Sequence, residues 1–209
     1  MSKNSFISEN QQGSDYMFRP SETTRQTPFS PKIIKAYFLG ALHDGTFSSN
    51  KRFRISQKGT EWLEFLREIL KNIGYNSWIY KEGADRDIYV LETLADFLDF
   101  EFNPLELKES KEKIGYIKGF FDAEGGVPHN KQDRFYIQLT QKDRAKIEKI
   151  KSILDSLEIQ TGKIHNPSYK VDPNYWRIYI LAKSHKLFID KVGSWHPKKI
   201  SILKNRVMI

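Results

Sequence analysis

Two acid-glycine pairs, Asp44-Gly45 and Glu124-Gly125, each close an apolar stretch of helical period. Glycine just past a helix is unsurprising, because it takes the left-handed backbone at no steric cost. The acid in front of it needs more explanation. A carboxylate is disfavoured at the negative end of a helix dipole, and two of them brought together also repel each other. A hard divalent cation relieves both problems. Mg2+ binds through one or two carboxylates and completes its shell with water and phosphate oxygens, and two-metal nucleases use such sites to stabilise attacking and leaving oxygens. The chain has no cysteine, so thiolate metal sites, disulfides and a cysteine nucleophile are excluded.

The stretches before these acids must be helices that can approach one another. In the second, Gly115, Gly119 and Ala123 recur every four residues on one face. In the first, Ala36 and Gly40 do the same ahead of Asp44. Small residues in that register let two helices meet backbone to backbone. Beyond each helix the chain repeats itself. Arg52-Phe53-Arg54-Ile55-Ser56-Gln57-Lys58 reads like Tyr136-Ile137-Gln138-Leu139-Thr140-Gln141-Lys142 at an offset of 84, both alternating strands that run into a helical pattern. The apolar face Phe65, Leu66, Ile69, Leu70 and Ile73 falls on Lys149, Ile150, Ile153, Leu154 and Leu157. Asp87-Ile88-Tyr89-Val90-Leu91 then matches Arg177-Ile178-Tyr179-Ile180-Leu181 at an offset of 90, leading into short helices at 94–100 and 185–192. Each half therefore reads helix, strand, strand, helix, strand, strand, helix. The expected fold is α+β: two pseudo-symmetric αββαββα halves with two antiparallel sheets over a central two-helix interface. The boundaries are 31–102 for the first half, 103–110 for a linker around Asn103-Pro104, 111–200 for the second half and 201–209 for a C-terminal tail. Residues 1–30, polar and proline-containing, read as a flexible N-terminal tail.

Lys and Arg number 34 against 26 Asp and Glu, a net charge of +8, which favours a polyanionic partner. No apolar run approaches the roughly 18 residues of a spanning helix and no signal peptide is visible, so an intracellular location is expected, in cytoplasm, nucleoid or organelle matrix, with no membrane partner.

The two acid-glycine helices resemble the LAGLIDADG homing endonuclease family in its single-chain, two-motif form. Ile117-Lys118-Gly119-Phe120-Phe121-Asp122-Ala123-Glu124-Gly125 follows the nine-residue motif position by position. Tyr37-Phe38-Leu39-Gly40-Ala41-Leu42-His43-Asp44-Gly45 departs from it, with Leu39 at the glycine position and Gly40 one place late. The resemblance covers about residues 31–200 and implies a saddle-shaped monomer acting as a pseudo-dimer. It would cut both strands of a long asymmetric double-stranded DNA site with Mg2+, for which Mn2+ or Ca2+ substitute in binding. Intron RNA maturases and DNA-binding regulators of the same fold are the alternatives, the first with host intron RNA as partner.

By the same resemblance Asp44 and Glu124 are the metal ligands, Gln57 and Gln141 are pocket glutamines, and Lys183 is a pocket lysine without a counterpart at Thr93. Lys198 and Lys199, after Trp195-His196-Pro197, read as backbone contacts or surface charge. His43 projects about 100° around the helix from Asp44 and reads as a packed or solvated residue rather than a metal ligand. A twisted antiparallel ribbon fits the major groove. Strand alternation then offers Arg52, Arg54, Ser56 and Lys58 in the first half as DNA contacts, with Arg134, Tyr136, Gln138, Thr140 and Lys142 in the second. Tyr80, Arg86, Tyr169, Lys170 and Arg177 are added from the other hairpins.

Overall fold

A computed structural model of the chain describes residues 29–48, 52–130 and 132–207. The expected flexible tail lies outside these residues except for its last two. Phe29 packs on Trp195 with ring centroids 4.6 Å apart, and the Ser30 side chain accepts a hydrogen bond from the Ile33 amide.

That serine caps α1 (Pro31–Ala41), whose first residue is a proline, harmless there because its missing N–H would have had no helical partner. A 3-10 turn (Leu42–Asp44) follows, then β1 (Gly45–Phe47), β2 (Phe53–Lys58), α2 (Glu61–Asn72), β3 (Ser77–Lys81) and β4 (Ile88–Thr93). The four strands form one antiparallel sheet in the order β1-β2-β4-β3. The second half opens with α3 (Ser110–Glu124), started by a reciprocal capping box between Glu109 and Glu112. It continues through β5 (Gly125–Gly126), β6 (Gln138–Gln141), α4 (Arg144–Ser156), β7 (Trp176–Tyr179), α5 (His185–Lys191) and α6 (Pro197–Val207). Its three strands are antiparallel in the order β5-β6-β7. Single bridges from Thr161 to Ile180 and from His165 to Arg177 lay one more segment along the open edge of β7, where the first half has β3.

Each sheet buries one face under its own helices. Ile34, Tyr37 and Phe38 of α1 join Leu63, Leu66 and Leu70 of α2 over Ile55 and Leu91. Ile117, Phe120 and Phe121 of α3 join Ile147, Ile150 and Leu154 of α4 over Leu139 and Ile178. The architecture is thus mixed helix and antiparallel sheet, with one core per half.

Three expectations change. Residues 94–100 form turns rather than a short helix, and the Asp99 side chain accepts from the Glu101 amide in a competing turn. The last residues continue as α6, where a tail was expected from 201 onward. Pro197 at its start and Ile200 and Leu203 at helical spacing were the legible signals, and Leu203 is buried. The strand match at offset 90 is also out of register. Gln57 pairs with Tyr89 and Gln141 with Trp176, so β4 and β7 correspond at an offset of 87. A slip of three residues is odd and would turn every side chain to the wrong face; the shared Ile-Tyr pair imitates an alignment that the sheets do not make.

Candidate active site at the helix junction

The two acids are brought together by glycine. A Cβ on Gly40 would lie 2.0 Å from the Tyr116 carbonyl oxygen, and one on Gly119 would lie 1.9 Å from that of Tyr37. These contacts are reciprocal at an offset of 79, although the acids are 80 apart. The 3-10 turn absorbs the difference. Glu124 is five residues beyond Gly119 in continuous α-helix, whereas Asp44 is four beyond Gly40, three of them in the longer-pitched 3-10 form. At about 1.5 Å per α residue and about 2.0 Å per 3-10 residue, both acids stand roughly 7.5 Å past their glycines. The irregular first motif therefore delivers its acid to the same level as the regular one.

Burial pushes the Glu124 carboxyl up to about 7, with the negative charge of Asp44 adding to the rise. Asp44 is raised too, chiefly by partial desolvation, while a hydrogen bond from Gln57 Nε2 at 3.1 Å and the charge of Lys199 pull it back. The Thr140 hydroxyl donates to the main-chain carbonyl of Glu124 at 3.0 Å, satisfying an end carbonyl of α3.

Lys199, on the first turn of α6, is a cation whose charge reaches both acids, and the charge of Lys142 also acts on Glu124. Its Nζ donates to the carbonyls of Phe121 and Asp122, the latter at 2.9 Å, so it caps α3 while facing both carboxylates. Burial lowers it to about 8 even though Asp122, Glu124 and Asp44 all favour its charge. Lys183, the expected pocket lysine, is exposed in the 3-10 turn Ala182–Ser184 and forms no ion pair or hydrogen bond with either acid. Lys199, read from the sequence as a backbone contact or surface charge, is instead turned inward onto the end of α3 by the fold of α6.

Asp122, at the sixth motif position, holds α6 in place. It is buried and accepts from Tyr37 Oη at 2.8 Å, from the amides of Trp195 and His196 at 2.8 and 3.1 Å, and from the Ser194 hydroxyl. Trp62 Nε1 donates to Tyr37 Oη at 3.0 Å and ties α2 to the same network. The first motif has Leu42 at that position, buried in the core.

The donor set suits a hard cation. It offers two crowded carboxylates, one of them raised toward neutrality by burial and by the other's charge, and no sulfur or free imidazole. Among the described residues no cluster of three or more His, Asp or Glu side chains could enclose an ion. Water or a substrate phosphate would have to complete the shell, as Mg2+ accepts.

The two sheets differ on their outer faces. In the first, Arg54 stands opposite Glu92, with 3.2 Å between Arg54 Nε and Glu92 Oε1, and Arg54 also pairs with Glu82 at 2.7 Å. Arg52 reaches Glu92 at 3.3 Å, and Trp78 Nε1 and Tyr80 Oη donate to the same carboxylate. Both arginines and Tyr80 are thus engaged within the protein, while Ser56 and Lys58 are exposed. In the second sheet Gln138 stands opposite Tyr179 at the matching register. Arg177 donates to Tyr175 and Tyr179 hydroxyls at 3.0 and 2.8 Å, and among the described residues no carboxylate forms an ion pair with it. Thr140 is committed to Glu124. Tyr136 is half-buried against Tyr179, and Arg134, Lys142, Arg86, Tyr169 and Lys170 are exposed.

Comparison with known proteins points to one fold. The LAGLIDADG-like domain matches residues 111–193. An uncharacterized protein of Methanocaldococcus jannaschii, MJ0314, is 26% identical over 66% of this chain, and the match spans 60% of that protein's length. Among solved structures, I-DmoI in complex with DNA and Mn is similar with a TM-score of 0.56 at 22% identity, over 78% of this chain and 97% of that one. Full-length WhiA from Thermatoga maritima is similar with a TM-score of 0.62 at 16% identity, over 88% of this chain and 63% of that one. The second half is thus a LAGLIDADG-like domain, and the described chain has the LAGLIDADG fold. I-DmoI has been solved with DNA and with Mn, Mg or Ca. No helix among the described residues is long and apolar enough to cross a membrane.

Proposed function

We propose that the protein is a divalent-metal-dependent endonuclease that hydrolyses both strands of an asymmetric double-stranded DNA site. The observation that carries this reading is the convergence of Asp44 and Glu124 at the ends of two glycine-packed helices, close enough that one raises the proton affinity of the other. Asp44 and Glu124 would hold the metal, which supplies Lewis-acid activation of water and neutralises charge on the phosphate. Gln57 orients the Asp44 carboxylate through its hydrogen bond. Lys199, fixed on the end of α3, adds positive charge beside the scissile phosphate. The outer faces of both sheets, with Ser56, Lys58, Gln138, Lys142 and Arg177, would lie along the duplex.

A second reading, a DNA-binding regulator, draws support from the likeness to WhiA and from Lys199, which already offsets the acids without a metal. One experiment separates the two: incubate the protein with a randomised duplex library and Mg2+, and sequence any cut ends. Asp44→Asn and Glu124→Gln should each abolish cleavage of the recovered site while leaving binding within about threefold. A wild type that binds duplex DNA and cuts none of the library would favour the regulator.

A further inference from the structure

The second motif has Ala123 where the first has His43, and the extra imidazole bridges the two halves. Its Nε2 lies 2.7 Å from Tyr116 Oη on α3, and its Nδ1 lies 2.9 Å from Nε2 of Gln141 at the end of β6. The orientation of Gln141 is set independently, since its Oε1 accepts from the Lys142 amide at 2.7 Å. The amide nitrogen must therefore donate to His43 Nδ1, and His43 carries its proton on Nε2 and donates it to Tyr116. The ring is wedged against Phe120 with centroids 4.7 Å apart.

This arrangement separates two residues that the chain otherwise treats alike. Gln57 and Gln141 are each the middle residue of a Ser/Thr-Gln-Lys run, and each pairs across its sheet with an aromatic residue, Tyr89 or Trp176. Gln57 reaches the acid of its own half. Gln141 follows Thr140, whose hydroxyl is on the Glu124 carbonyl, yet its own side chain is turned to the other half and held there. We infer that His43 is a positioning residue that withholds Gln141 from Glu124, leaving the two half-sites with unequal polar machinery and the two DNA strands with unequal cleavage rates. The inference rests on the proposed endonuclease activity, but the clasp itself can be observed without it.

Two measurements test it. In 15N NMR of the free protein, His43 should show an unprotonated Nδ1 and a protonated Nε2, and the Gln141 side-chain amide should exchange slowly with solvent. On a recovered site with each strand labelled, the wild type should accumulate a nicked intermediate. His43→Ala, the residue of the second motif, should speed the slower nick about fivefold or more with little change in the faster one. His43→Phe keeps a ring against Phe120 but accepts nothing from Gln141, and should act in the same direction if the alanine variant is unstable. Adding Gln141→Ala to either variant should remove the gain. Equal slowing of both nicks by the His43 variants would reduce the residue to a packing role and overturn the inference, as would a gain that survives Gln141→Ala. The clasp seen by NMR with no cleavage by any variant would instead refute the endonuclease reading, and the inferred role in strand rates with it.

Discussion

The first sheet neutralises its own arginines, whereas among the described residues the second offers Arg177 no acid, although the strands run in matching register. At the position where β2 places Arg54 opposite Glu92, β6 places Gln138 opposite Tyr179. The helix ends differ in a parallel way. In the first half a 3-10 turn presents a relatively exposed Asp44 with its own glutamine. In the second a longer α-helix presents a more buried Glu124, flanked by a clamped loop and Lys199. A shared backbone plan thus carries two different charge arrangements, and each difference can be attacked separately.

The largest effect should come from Asp122→Leu, which gives the second motif the residue of the first. It leaves the Tyr37 hydroxyl proton and the Trp195 amide without their acceptor and releases the start of α6, so unfolding free energy should drop by about 3–5 kcal/mol in urea titrations. A loss under about 1 kcal/mol would show that the clamp is incidental. Next come the glycines. Gly40→Ala and Gly119→Ala each force a methyl into the other helix's backbone and should each cost about 2–3 kcal/mol or more. Clearly unequal losses would break the reciprocity of the helix contact.

Glu124→Gln should melt above wild type in EDTA at pH 8, by roughly 1–2 kcal/mol after discounting for partial exposure. The sign follows from linkage. The folded carboxyl titrates near 7, above its unfolded 4.5, so the folded state holds the extra proton between those values and stability falls as pH rises through that window. At pH 4 the variant's advantage should vanish, and Mg2+ should narrow it at pH 8. Asp44→Asn should show the same sign with a smaller amplitude. The smallest effect concerns the sheets. Arg177→Ala should flatten the plot of log affinity against log salt by about one unit, while Glu92→Gln should steepen it by about one as Arg52 and Arg54 are freed for phosphate. Identical slopes for both variants and wild type would mean that neither sheet engages duplex DNA through these residues.

Much of this protein was legible in the chain because it depends on local pattern. The acid-glycine endings, the every-fourth small residues and the alternating strands placed the acids and the helix pair, since residue type and period dictate which face is buried. Leu39 and the late Gly40 were visible as departures of the first motif, whereas His43 and Leu42, which align with Ala123 and Asp122 of the second, drew no such notice. Their consequences were not visible, because they depend on partners far away in sequence. Gln141 lies 98 residues from His43, Trp195 lies 73 from Asp122, and Lys199 reaches Phe121 across 78. Glu92 shows the same limit: nothing local marks a strand glutamate as the partner that silences Arg52 and Arg54 from the next strand. The sequence by itself determined where carboxylates, glycines and strands would fall. Only the folded chain decided which cation faces the acids, which glutamine serves them and which arginines remain free, because electrostatic and hydrogen-bond partners are chosen by proximity in space.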